Sequence, residues 1–180
     1  MTTTTRLSEL TGDYILDTAH TRIGFIARHT MATKVPGKFG EFEGSAHLDG
    51  DDPSKSRAQL TIAAKSIQTR NQQRDEALRS KYLDTGHHPA ITFTSTKVEQ
   101  AGDTNFTVTG DLTIRGVTRP VTVDVKLTGA ETDPSGNFRV GFQISATVNR
   151  KDWGVHWNAA PGVVRKKVTL EFDVAAIRQS

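Results

Sequence analysis

Six histidines are the first residues in this 180-residue chain whose type could do chemistry. A zinc site draws its ligands from a few short, recurrent spacings. His87 and His88 are adjacent, so on a strand they would face opposite ways, and no HxH or HxxxH spacing occurs. The chain has no cysteine, which excludes disulfides, thiol catalysis and thiolate metal ligands. Asp51-Asp52 and Asp75-Glu76 are paired carboxylates, but the first pair falls in a turn-rich stretch and the second on a predicted helix. Acid–base work needs two groups that converge in a pocket, and neither placement provides that. Arg74, Asp75, Glu76 and Arg79 read instead as ion pairs on a helix surface. There is no GxSxG elbow for a serine nucleophile. The expectation is a protein without a metal, a cofactor or a catalytic motif.

Polar residues that continue an apolar face say more. His29 follows Ile23, Phe25 and Ala27 at two-residue spacing, and Arg150 follows Ile144, Ala146 and Val148. Both fall at strand ends, which reads either as a barrel mouth where they meet an anionic or carbonyl head group or as a strand that has left the sheet into solvent. Trp153 and Trp157, with Asn149, Asp152 and Asn158 nearby, read either as a lid or rim whose indole N–H groups meet polar atoms or as a structurally packed pair.

The elements that must position these residues are strands. Phe106, Val108, Gly110, Leu112 and Ile114 alternate with polar residues, as do Val121, Val123, Val125 and Leu127 after a short link. This is the pattern of a hairpin with one apolar face. Gly116–Arg119 is its expected link, with Pro120 at a strand start. The same alternation places Ile23 and Phe25, Phe42, Leu60 and Ile62, Phe93, Phe142, Ile144 and Ala146, and Leu170 on inward faces. Pro36-Gly37 reads as a turn within a loop from Met31, and the final strand is expected over 164–174. One helix is predicted over 71–80, capped by Asn71.

Eight or nine one-faced strands with a single helix imply an all-β sandwich or closed barrel, and the short connections favour an up-and-down barrel. A barrel of that size is either packed solid or holds one small ligand. Composition agrees: 35% of residues are hydrophobic, net charge is +3, and the 23 basic residues are dispersed. Dispersed charge gives no footprint for nucleic acid. No apolar run reaches the length of a signal peptide or a membrane span, which predicts a cytoplasmic protein with no integral membrane segment. Residues 1–12 read as a flexible Thr-rich lead-in, and 13–180 as one domain.

Several blocks resemble the YceI-like family: YILDTAHTRIGFIARH, KVPGKFGEFEGSAHLD, SIQTRNQQRDEALRS, HHPAITFTSTKV, TGDLTIRGVTRPVTVDV and VNRKDWGVHWN. They occur in order and span about Asp13 to Ile177. The resemblance implies an elongated, lipocalin-like antiparallel barrel that binds a polyisoprenoid, fatty-acyl or similar long-chain amphiphile in its lumen. Phe25, Phe42, Leu60, Phe142, Ile144 and Leu170, with the other inward residues, would line that lumen, and His29 and Arg150 would meet the head group. Two features depart from the family pattern. No secretion signal is seen, and residues 162–167 are basic where many members carry an acidic Leu-Val-Gly-Asp-Glu type segment. The expected partner is a lipid-like small molecule, and a homodimer is compatible with the sequence. Two alternatives stand beside binding and transport: an enzyme acting on such a lipid at the barrel mouth, and a stress-associated interaction module with a filled core.

Overall fold

The computed structural model describes residues 6–28, 34–155 and 166–179. Eleven strands follow in chain order: β1 (Gly12–Leu16), β2 (Arg22–Arg28), β3 (Lys34–Phe39), β4 (Phe42–Leu48), β5 (Arg57–Ala63), β6 (Ile67–Gln68), β7 (Ala90–Gln100), β8 (Asn105–Ile114), β9 (Val117–Thr132), β10 (Phe138–Asn149) and β11 (Lys167–Arg178). All pair antiparallel. They occupy eight positions around a closed barrel, because three positions hold two short strands end to end. β1 and β2 both pair with β11, as Leu16↔Ala176 and Phe25↔Leu170. β4 and β3 follow as their neighbours, then β5 and β6, and the wall continues through β7, β8, β9 and β10 to β11. The β1–β11 pairing closes the ring, and among the described residues stretches of β3, β6 and β9 are left unpaired on one side.

The break between β1 and β2 has a local cause. Asp17 accepts a hydrogen bond from the Ala19 amide and caps a short 3₁₀ turn, Thr18–His20. β11 would lose backbone partners there, but Asp17 N donates to Ala175 O at 2.8 Å, and Thr21 Oγ1 accepts from Ala175 N at 3.0 Å. Side chain and turn together thus replace the missing ladder.

The hairpin link lies at Arg115-Gly116, not at Gly116–Arg119. Both residues have positive φ, 53° and 75°, the geometry of a two-residue turn whose twist matches its strands. Pro120 therefore sits inside β9, opposite Asp111. β9 pairs with β10 only between Asp124 and Thr132, so Pro120 has one unpaired side, where a missing donor costs little. Pro36-Gly37 is likewise in a strand, with Pro36 opposite Ile26, and β6 reaches only Lys38 and Phe39 of that strand's other side. The final strand runs four residues beyond the expected end, to Arg178.

The α-helix α1 (Gln72–Ala77) starts after Asn71, whose Oδ1 accepts from Arg74 N at 3.0 Å, and continues as a wider π turn over Leu78–Tyr82. Leu78 and Leu83 bury into the barrel end. The charged residues of this segment mostly clip it down instead of pairing on its surface. Asp75 is buried and accepts from Thr69 N at 2.8 Å and from the Thr69 hydroxyl. Arg74 donates to Thr69 Oγ1 and O, and Arg79 donates to the Lys65 and Ile67 carbonyls. Only Glu76–Arg79 is a surface pair, at 3.5 Å.

Candidate functional site: an apolar lumen between two plugs

Inward residues of eight wall positions need not meet across the axis, and here they do so only near the ends. At the helix end, Ile23, Phe25, Ile62, Ile67, Leu78, Ile91, Leu112 and Trp153 pack into one buried cluster. At the other end Leu10, Tyr14, Val140 and Ala176 form a second, with Leu7, Leu48, Phe138 and Phe142 against it. Between them lies a cavity of about 230 Å³.

Of the residues proposed from sequence, Ile23, Leu60, Ile62, Phe93, Val108, Leu112, Phe142, Ile144 and Leu170 line the cavity. Phe25 does not reach it. Its ring packs in the helix-end cluster, tilted by 46° to that of Phe39 with centroids 5.6 Å apart. Phe42 packs against the same cluster and borders a shallow outer groove with Glu41, Glu43 and Pro89. Ala146 is on the inward face but beyond the cavity. His29 and Trp157 lie outside the described residues, as do residues 162–165 of the basic segment.

Arg150 and Trp153 are placed at the helix end, not at a rim. After Asn149 the chain turns inward in a 3₁₀ turn, Arg150–Trp153, with Asn149 Oδ1 accepting from Lys151 N. Trp153 is 2% exposed, and its indole N–H donates to Leu112 O at 2.9 Å. Arg150 is 6% exposed and donates from Nη1 to Val155 O at 2.6 Å. Burial pushes its guanidinium below its ordinary pKa. It is not among the residues that line the cavity. Alternation placed Arg150 on an apolar face correctly but could not tell an outgoing strand from one that folds under the barrel.

The polar lining is at the opposite end. Asp49, Ser56 and Arg57 border the cavity beside Leu7 and Leu10, where β4 leaves the wall and β5 enters it. Asp49 Oδ1 accepts from the amides of Asp51 and Asp52, and Ser56 Oγ accepts from Asp49 N, which fixes this loop. An adjacent charge network braces the same end. Arg139 donates to Asp17 and, at 2.5 Å, to Asp133 Oδ2, and His20 Nδ1 lies 2.7 Å from Asp17 Oδ2. The Arg139 bond holds both carboxyls below the usual carboxylate range.

Two cavity-lining residues had no sequence signal as strand positions. Leu7 and Leu10 lie in the stretch expected to be a loose lead-in, yet they form a 3₁₀ turn with Leu10 4% exposed. Their three-residue spacing, which puts both on one side of such a turn, was the available sign. Among the described residues, no group of three or more His, Asp or Glu side chains could hold a metal ion, and no helix is long and apolar enough to cross a membrane.

Comparison with known proteins agrees with this geometry. A family model described as YceI-like domain matches residues 14–176. A UPF0312 protein of Pseudomonas paraeruginosa is 38% identical over 173 residues, covering 94% of this chain and 89% of that protein. A UPF0312 protein of Pectobacterium atrosepticum is 37% identical over 175 residues, covering 96% and 90%. Among solved structures, Burkholderia cenocepacia BcnA superposes with a TM-score of 0.80 at 23% identity, covering 89% of this chain and 98% of its own. A polyisoprenoid binding domain from Saccharophagus degradans superposes at 0.69 with 17% identity, covering 92% and 98%.

Proposed function

Because the chain belongs to the YceI-like family, we propose that it binds the apolar chain of a polyisoprenoid or similar amphiphile in its lumen, for storage or transport. The observation that carries this reading is the cavity of about 230 Å³ between the two packed ends. Protein interiors leave few voids larger than a water molecule, so an unfilled apolar space of this size fits an occupant better than a finished core. The ligand class rests on the Saccharophagus degradans domain of the same fold, described as polyisoprenoid binding.

Moving a hydrocarbon chain from water into such a space gains about 0.8 kcal/mol for each methylene buried. Leu60, Phe93, Val108, Phe142, Ile144 and Leu170 would contact the chain. The head group would lie toward Asp49, Ser56 and Arg57, where the lining becomes polar. No chemical conversion is needed for this role.

Native mass spectrometry of the purified protein, followed by organic extraction, tests the reading. The expected result is a bound amphiphile whose retention is lost in Phe142→Asp, because an unpaired charge in the lumen opposes apolar occupancy. A protein that retains nothing and has no affinity for any hydrocarbon-chain probe would overturn it.

A further inference from the structure

The N-terminal turn stands where more of a ligand could lie. Leu7 and Leu10 both line the cavity, yet they belong to no strand of the wall. The turn is latched by three hydrogen bonds, one from within the lumen and two from its outer side. Tyr14 OH donates to Leu10 O at 2.8 Å, Arg178 Nη1 donates to Glu9 O at 2.8 Å, and Gly50 N donates to Thr11 Oγ1 at 2.9 Å. Gly50 also takes the close approach of the turn's backbone, since a Cβ there would fall 1.7 Å from Leu7 O.

We propose that the Leu7–Leu10 strap fills one end of the lumen in place of ligand, restricts the protein to short-chain isoprenoid or alkyl amphiphiles, and admits longer chains only when displaced. The proposal rests on the lumen-binding reading above. Size sets the restriction. A cavity of about 150 Å³ holds one benzene ring, so in proportion the 230 Å³ here holds about nine or ten carbons. A chain of several isoprene units exceeds that. Displacement is chemically balanced, because a longer chain covers with its own methylenes the apolar wall that Leu7 and Leu10 cover. The freed carbonyls of Glu9 and Leu10 are then open to water.

The test titrates the full chain, Gly50→Ala and Tyr14→Phe with isoprenols of two, three and four isoprene units by calorimetry. Gly50→Ala collides with the Leu7 carbonyl and lifts the strap, whereas Tyr14→Phe removes one latch and keeps the ring in the lumen. The wild type should bind the two-unit alcohol about tenfold more tightly than the four-unit one, and Gly50→Ala should cancel or reverse that preference. Tyr14→Phe should shift it in the same direction, and it carries the comparison if Gly50→Ala does not fold. Wild-type affinity that rises with chain length would overturn the restriction while leaving lumen binding intact. An unchanged preference in every variant that folds would overturn the strap's part in it. Failure of all three alcohols to bind the wild type would overturn this proposal together with the binding reading.

Discussion

The Phe25 ring lies directly over Gly37, its register partner on the neighbouring strand, and a Cβ at Gly37 would come within 2.2 Å of the ring's Cζ. Phe93 covers Gly110 diagonally across β7 and β8, where Gly110 is opposite Ser95, with a Cβ–Cζ distance of 2.4 Å. In each case the glycine leaves room for the outer end of a large ring against the strand, and the ring covers backbone that glycine would leave bare.

Gly37→Ala should therefore destabilise the protein by about 1–3 kcal/mol through overpacking. Phe25→Leu in the same chain should recover part of that loss. Urea denaturation of the two single variants and the double variant checks this. Additive losses would mean that the ring and the glycine are not coupled.

This pair also marks where the sequence was legible and where it was not. Period-two alternation identified most strands and their inward faces, because one wet and one dry face is a local property of each strand; it left sandwich and barrel open, and the short connections and the family resemblance pointed to the closed barrel. Pro36-Gly37 reads as a turn in sequence but lies in β3, because the same dipeptide serves turns and strand edges. What decides is the ring of Phe25, which comes from another strand. Arg150 misled for a similar reason, since its burial depends on where the chain goes after Asn149. The three-residue spacing of Leu7 and Leu10 marks a one-sided turn, but that the turn closes an end of the barrel depends on residues distant in sequence, such as Leu48 and Ala176.

Trp153 ties the inward turn to β8 through its bond to the Leu112 carbonyl. Trp153→Phe, which keeps most of the ring, should cost about 1–3 kcal/mol for the lost bond and the small void. Trp153→Ala should cost about 3–5 kcal/mol, because it adds a large cavity to the helix-end cluster. Equal midpoints for the two variants in a denaturant titration would show that packing of the ring contributes little.

Asp75 holds the helix onto the Thr69 backbone while itself buried. Asp75→Ala leaves the Thr69 amide without its acceptor and should cost about 1–3 kcal/mol. Hydrogen exchange should localise the effect: amides of residues 67–83 lose protection and those of β10 and β11 keep theirs. Uniform loss of protection across the barrel would show that the clip stabilises the whole fold and not the helix end alone.

Acid should weaken the network of Arg139, Asp17 and Asp133 in a defined direction. Both carboxyls titrate below their ordinary values in the folded protein, chiefly because they accept hydrogen bonds from Arg139. An unfolded Asp titrates near about 3.9. A folded-state value below that makes the unfolded chain take up protons first as pH falls. The contribution to stability is thus fully present above the unfolded value and fades as pH drops through the folded values. Arg139→Gln removes the cation, so wild type should be more stable than the variant by a constant margin from neutral pH down to about pH 5, and the margin should shrink below about pH 4. Denaturation midpoints of both proteins between pH 7 and pH 2.5 measure that margin directly. A margin that stays constant to the lowest pH would show that Arg139 acts through packing against its neighbours and not through its two carboxylates.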